Sequence, residues 1–473
     1  MMQTGCRITV RKRSVSLSNP VFHRGNEIKF NKMKKITHGF LVALLVLFGS
    51  EIIFAQETSV NLLLLRKLDK LPGVQVAKYE QSTADFFELH VLQPLDHSDP
   101  GKGSFTQRVF VSHRGMKQPV VLVTEGYSAA YADNPEYACE LTRYLQANQV
   151  VVEHRFFEAS VPDSMGWDYL TVANAAADHH RIVELLKTIY KRSEWINTGI
   201  SKGGQTATYH RFFYPDDVDV TVGYVCPINL AREDPRIFSF LKTVGTEPCR
   251  EKIYDFQKYL LENKKEFLPI FDYLTDKKGL TYSMGKEAAY ELVICEYAFA
   301  FWQWGVGCDN IPGPQTQPKD AVSHLDQVAG FDFFAEESKS DMQPFFYQAL
   351  TEIGMYSYDF SLFDGKITAC RDSTFMFFMP ENADTTYNFS TMHAVDQWIQ
   401  KEAEQVIWLY GEYDPWSATA ARAEGNPKVL KIVKPGGSHL TRIGNLPEAQ
   451  QKLVFDTLDT WLKAPVYRPG KAN

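Results

Sequence analysis

Three short stretches carry side chains that could together break an acyl bond. Ser201 stands at the centre of Gly199-Ile200-Ser201-Lys202-Gly203-Gly204. Asp414 lies in Gly411-Glu412-Tyr413-Asp414-Pro415-Trp416, and His439 ends Gly436-Gly437-Ser438-His439. A serine hydroxyl becomes a useful nucleophile when a neighbouring base takes its proton. Imidazole titrates in the right range to do so, and a carboxylate holds it in the right tautomer. Taken singly, each stretch has a plainer reading: a glycine-rich turn, an Asp-Pro turn and a loop histidine. Taken together, they occur in the order Ser, Asp, His, and each follows a strand-like run: Trp195 to Ile200, Gln405 to Tyr410, and Val429 to Val433. That order and context select Ser201, Asp414 and His439 as a catalytic triad.

The elements that must hold these groups follow from the pattern around them. Gly-x-Ser-x-Gly between a strand and a helix is the nucleophile elbow of the α/β-hydrolase fold. The turn is so tight that residues two positions from the serine must lack a Cβ. It also aims the N–H of Lys202 at the place where an oxyanion forms. The apolar run Val120 to Val123 reads as a strand buried on both faces. The loop after it, Thr124-Glu125-Gly126-Tyr127, supplies the second oxyanion donor in this fold, and the N–H of Tyr127 is the candidate. Gln149 to Glu153 is the next buried strand and runs into His154-Arg155-Phe156-Phe157. Glu153 there suits either a ligand at the carboxyl edge of the sheet or an ion pair with Arg155 or another partner.

Asp85 to Leu92 and Arg108 to His113 alternate apolar and polar residues as hairpin strands do. Helical periodicity covers Ser59 to Leu71, Tyr137 to Ala147, Thr171 to Tyr190 with Thr171 as N-cap, and Gly203 to Phe213. Val218 to Val225 is the next strand. From Ala231 to about Lys401 the patterns are mostly helical, including Arg250 to Leu261, Lys286 to Phe301 and Met342 to Ile353. The chain then returns to alternating character and closes with a helix from Pro447 to Leu462. The fold class is therefore α/β: an α/β-hydrolase sheet with a largely helical cap domain inserted after the sixth strand. Residues 57–230 and 401–473 form the sheet domain, 231–400 the cap, and 1–56 an upstream extension and signal peptide.

The leader reading rests on a basic segment from Met33 to His38, an apolar segment from Gly39 to Gly49, and a cleavage site near Ala55 or Gln56. The apolar segment is too short to span a bilayer, so export to the periplasm or medium is expected, without a stable membrane anchor. The formal charge of -7 argues against nucleic acid as a partner. Six cysteines follow the leader: Cys139, Cys226, Cys249, Cys295, Cys308 and Cys370. An exported chain can oxidise them, and their spacing leaves the pairing open. No Cys-x-x-Cys occurs, so no metal site is expected. His180 and Glu184 share a helix face, but a solvated face is the plainer reading. No cofactor is needed for the chemistry described.

A helical cap over such a sheet suits substrates admitted by one end. Glu125, Glu153 and Glu296 are acids that could hold a free amino terminus. Glu296, Trp302 and Trp304 lie in the aromatic run from Cys295 to Gly305, which would either line a pocket for a flat-sided residue such as proline or simply pack the cap. Gly199-Ile200-Ser201-Lys202-Gly203-Gly204, Glu153-His154-Arg155-Phe156-Phe157 and Gly411-Glu412-Tyr413-Asp414-Pro415-Trp416 together resemble the secreted prolyl tri- and tetrapeptidyl aminopeptidases. The chain is also distantly similar to the Pro-Xaa carboxypeptidase and dipeptidyl-peptidase family. The resemblance implies a serine peptidase that releases short peptides from free N-termini, with proline preferred before the cut. An esterase or lipase on the same fold, or a binding protein that has lost activity, are the alternatives.

Overall fold

The computed structural model describes residues 62–163 and 166–468. The expected leader and upstream extension, residues 1–56, lie outside the described residues. So do residues 59–61 of the first expected helix, of which residues 62–68 are helical.

Among the described residues nine strands form one sheet, in the order β1-β2-β3-β5-β4-β6-β7-β8-β9. Strands β1 (Val74–Gln81), β2 (Asp85–Pro94) and β3 (Ser104–His113) run antiparallel, and β3 joins β5 (Asn148–Val152) in the same sense. From β5 onward every pairing is parallel, through β4 (Val120–Thr124), β6 (Trp195–Ile200), β7 (Val220–Tyr224), β8 (Val406–Gly411) and β9 (Leu430–Lys434). The exchange of β4 and β5 is the crossover of an α/β-hydrolase sheet, and the chain has that fold. Every residue of β4, β5, β7 and β8 is buried, as parallel strands covered on both faces must be.

Strand β1 was not expected. Its sequence, VQVAKYEQ, is half-exposed to exposed throughout, so no buried apolar run marks it. It makes the strand counted sixth from the sequence the seventh in the chain.

The helices lie where the crossovers require. α1 (Glu140–Leu145) is shorter than its pattern suggested, ending where Gln146 turns left-handed at φ 47°. α2 (Val172–Lys187) starts where Thr171 Oγ1 accepts from the N–H of Asn174 at 3.1 Å, a cap that contributes about 1 kcal/mol. α3 (Lys202–Phe213) lies behind β6.

Between β7 and β8 the chain leaves the sheet for a helical insertion. It contains α4 (Arg236–Leu241), α5 (Glu247–Glu262), α6 (Lys264–Lys278), α7 (Lys286–Trp304), α8 (Pro318–Ala329), α9 (Glu336–Gln348) and α10 (Ser390–Lys401). α7 is its axis, buried on nearly every side, which accounts for its almost unbroken apolar sequence. A disulfide between Cys249 and Cys308 ties α5 to the loop after α7, while Cys139, Cys226, Cys295 and Cys370 are unpaired. α11 (Glu448–Trp461) closes the sheet, its Val454, Phe455 and Leu458 packed into the main core.

Candidate active site

Ile200, Tyr224, Leu409 and Ile432 lie side by side across β6, β7, β8 and β9. Ser201, Asp414 and His439 occupy the loops just beyond three of these positions, at the carboxyl edge of the sheet. Open α/β sheets bind their ligands at that edge.

Ser201 has φ 56° and ψ −123°, a conformation that costs a non-glycine residue about 1–3 kcal/mol. Two backbone bonds hold it there. Its N–H donates to the Tyr224 carbonyl at 2.8 Å, and its carbonyl accepts from the Gln205 N–H at 3.0 Å. The glycines around it are steric necessities. A Cβ on Gly199 would sit 2.1 Å from the Gly203 carbonyl oxygen, and one on Gly203 would sit 2.9 Å from the Thr124 carbonyl oxygen. The side chain of Ser201 stays partly exposed, with Ile200 before it 44 % exposed.

His439 and Asp414 are both buried and joined directly. The imidazole Nδ1 lies 2.7 Å from Asp414 Oδ2, so in the Nδ1–H tautomer the ring donates to the carboxylate and leaves Nε2 free to accept a proton. Asp414 Oδ1 also accepts from the Trp416 N–H at 3.2 Å, which fixes the carboxylate. The backbone of His439 is held from two sides. Its N–H donates to the Gln303 carbonyl at 2.9 Å, and its carbonyl accepts from Arg442 Nη1 at 3.1 Å.

The loop after β4 lies against the elbow. A Cβ on Gly126 would come within 2.6 Å of Lys202 Cβ, so the backbone of the loop and the first residue of α3 touch. The N–H of Lys202 lies in the first turn of a helix, where no acceptor exists within the helix. The side chain of Lys202 is buried. Its Nζ donates to the Gly126 carbonyl at 2.6 Å and sits 5.5 Å and 5.3 Å from the ring centres of Tyr127 and Phe157. Burial drives its pKa well down, and the Glu125 carboxylate works against that. Glu125 itself is pushed up to about 7 by burial, although Tyr131 donates a hydrogen bond to it.

The chain matches the family described as PS-10 peptidase S37 over residues 60–466. It belongs to that family. It is therefore a serine peptidase. Among its relatives is the prolyl tri/tetrapeptidyl aminopeptidase of Streptomyces mobaraensis, 30 % identical over 386 residues and 80 % of each chain. The prolyl carboxy peptidase like protein 5 of Caenorhabditis elegans is 30 % identical over 170 residues, which are 32 % of this chain and 34 % of that one. Among solved structures, the proline iminopeptidase of Mycobacterium smegmatis superimposes with a TM-score of 0.37 at 14 % identity, covering 79 % of this chain and 98 % of its own.

The other residues singled out in this peptidase fall into two groups. Glu153 is fully buried and wholly engaged: its carboxylate accepts from Arg108, from the Ala129 N–H at 2.9 Å and from Ser160 Oγ at 2.9 Å. It braces the Tyr127 loop from below and is spent on structural partners. Nor does it pair with Arg155, which forks onto both oxygens of Asp178 at 2.7 and 2.8 Å and donates to the Leu95, Tyr169 and Pro94 carbonyls. His154 donates its N–H to the Tyr127 carbonyl at 3.1 Å. The Glu-His-Arg-Phe-Phe stretch thus supports the loop beside Ser201.

Glu296, Trp302 and Trp304 all lie on α7. Glu296 is buried, with Tyr356 and Tyr358 both donating to Oε2 at 2.7 Å; its Oε1 finds no partner among the described residues. Burial pushes its pKa up to about 7. Trp302 is buried against Gly245 and Tyr413, so it packs the insertion onto the Asp414 loop. Trp304 is half-buried, edge-on to the His439 ring at 6.0 Å.

Several residues of the site carry no mark in the sequence. Gln303 acts through its backbone carbonyl, which any residue possesses. Ile200 and Leu440, exposed at 44 % and 54 %, place apolar surface beside Ser201 and His439. Arg442 lies 5.7 Å from the Tyr224 ring centre while it holds the His439 carbonyl. His180, weighed above as half of a metal pair, bonds Asp217 at 2.8 Å and stacks on Tyr214.

Proposed function

We propose that this chain is an exported serine exopeptidase that releases tri- and tetrapeptides from free N-termini, with proline preferred before the cut. In this reading Ser201 attacks the scissile carbonyl carbon and His439 Nε2 takes the hydroxyl proton. Asp414 stabilises the imidazolium. The N–H groups of Lys202 and Tyr127 receive the oxyanion. Collapse of the tetrahedral adduct expels the amine of the shortened substrate, which takes the proton from His439. Water then attacks the acyl-enzyme by the same route and frees the short peptide. One donor to the oxyanion stabilises the transition state by about 3 kcal/mol.

The observation that carries the proposal is the buried 2.7 Å bond between His439 Nδ1 and Asp414 Oδ2 at the sheet edge that holds Ser201 in its strained turn. The extent and name of the Streptomyces mobaraensis relative support the proline and chain-end preferences. Glu125 and Glu296 are the remaining acids for the substrate amine, and Trp304 is the aromatic ring that faces the base. The basic and apolar pattern of residues 33–56 supports export.

The test is mass spectrometry of products from a peptide library offered with free and with acetylated N-termini, using the wild-type chain and Ser201→Ala. Three- and four-residue products ending in proline, formed only from free termini and lost in the variant, are expected. Equal cutting of blocked peptides would remove the chain-end preference. Turnover of nitrophenyl esters with no amide cleavage would favour an esterase.

A further inference from the structure

The residue after the nucleophile takes part in the site twice. Its backbone N–H is one oxyanion donor. Its side chain, which α/β-hydrolase chemistry does not require, is a buried amine-bearing chain folded back onto the loop that carries the other donor. Burying an amino group is costly unless it is hydrogen-bonded, so the arrangement calls for a reason.

The geometry supplies one. Lys202 Nζ donates to the Gly126 carbonyl at 2.6 Å. That carbonyl belongs to the same peptide unit as the N–H of Tyr127. A trans peptide is planar, with its C=O and N–H pointing in opposite directions, and the described residues contain no cis bond. Fixing the carbonyl therefore fixes the direction of the N–H. We propose that the side chain of Lys202 is a positioning residue that locks the Gly126–Tyr127 peptide so that the Tyr127 N–H faces the oxyanion.

This rests on the serine mechanism given above and adds to it that one residue governs both donors. The rest of the environment is built for the same end. The next peptide unit is held as well, since the Tyr127 carbonyl accepts from the His154 N–H at 3.1 Å. The N–H of Ala129, two residues on, is held by Glu153 Oε2. Gly126 has no Cβ, which lets its backbone approach Lys202 closely enough for Nζ to turn back and reach its oxygen. The rings of Tyr127 and Phe157 flank Nζ at 5.5 and 5.3 Å and help to hold it against the carbonyl. A hydrogen bond to the carbonyl also polarises the peptide and makes its N–H a better donor. His439 remains the base, since Nζ is spent on the carbonyl.

The test compares the wild type with Lys202→Met, which keeps the length and apolar stem of the side chain and removes the donor. Loss of one oxyanion donor costs about 10²–10³ in kcat, and a donor left in place but free to turn should cost about 10–100-fold, with KM within about twofold. A tripeptide aldehyde ending in proline, whose adduct carries the oxyanion, should lose affinity by the same factor. The matching tripeptide alcohol, reduced at the same carbon and carrying no carbonyl or carboxylate oxygen, should bind as before. Near-wild-type kcat and aldehyde affinity would overturn the proposal. Equal losses for aldehyde and alcohol would also overturn it, because they would report a distorted pocket. If Lys202→Met does not fold, Lys202→Leu, which also lacks a donor, carries the same comparison. Fluorophosphonate labelling of the wild type separates the two levels: no label on Ser201 means that the serine mechanism itself fails, whereas a labelled wild type with an unaffected Lys202→Met overturns only the positioning role.

Discussion

Around Ser201 each neighbouring loop is fixed by a named polar contact, whereas the insertion meets the site chiefly with rings. On the sheet side, the Thr124–Ala129 loop is held by Lys202, His154 and Glu153. On the insertion side, Phe299 and Tyr356 pack on Trp416, Trp302 on Tyr413, and Trp304 on His439. The difference follows from what each side must do. Transition-state stabilisation needs directions correct to a few degrees, which hydrogen bonds supply and dispersion does not. Covering a site needs volume, which aromatic side chains supply with few rotatable bonds. Glu296 is the exception on the ring side: a buried acid with one oxygen still unpaired among the described residues.

Three measurements would break or sharpen this contrast. The largest effect belongs to the sheet edge. Asp414→Asn should lower kcat by about 10⁴-fold, with little change in KM or melting temperature, because the amide favours the wrong imidazole tautomer. A loss below tenfold in steady-state kinetics would mean that the carboxylate does not orient His439.

Next comes the covalent tie of the insertion. Cys249 and Cys308 are 59 residues apart, and opening a closed loop of that length costs up to about 4 kcal/mol. Cys249→Ser with Cys308→Ser should therefore raise amide exchange in α5 and α7 while β4 to β8 stay protected. Uniform deprotection would show that insertion and sheet unfold as one unit.

The smallest effect is a pH dependence. Glu296 has its folded pKa raised to about 7, above its unfolded value, so the folded state binds more protons in between. Stability should fall as pH rises from about 4.5 to about 7, by at most about 3 kcal/mol, and level off beyond. Glu296→Gln should flatten that slope in denaturant melts. A slope unchanged by the substitution would assign it elsewhere, with Glu125, raised in the same direction, as the next group to replace.

The same contrast explains what could be read from the sequence. Glycines at 199 and 203, an aspartate after β8 and a histidine after β9 were legible because the geometry admits few other residue types there. The strands from β4 to β8 were legible because burial on both faces leaves continuous apolar runs. β1 was not, because an exposed edge strand carries no such run. Glu153 announced a charge at the sheet edge but not its direction, since the loop it braces is distant in sequence. Gln303, which acts through a carbonyl, has no side-chain signature at all. The interior placement of Trp302 depends on α7 being covered all round, which its apolar sequence allows but does not single out from a lined pocket.

One backbone contact links the two regions. The His439 N–H is bonded to the carbonyl of Gln303, near the end of α7, and Gly305 just after it abuts Ser438. The last turn of the longest insertion helix and the proton-transferring loop are thus hinged to one another. Any displacement of that helix must either carry the imidazole along or break that bond. In the proposed mechanism, the seating of the base would then depend on where the insertion stands.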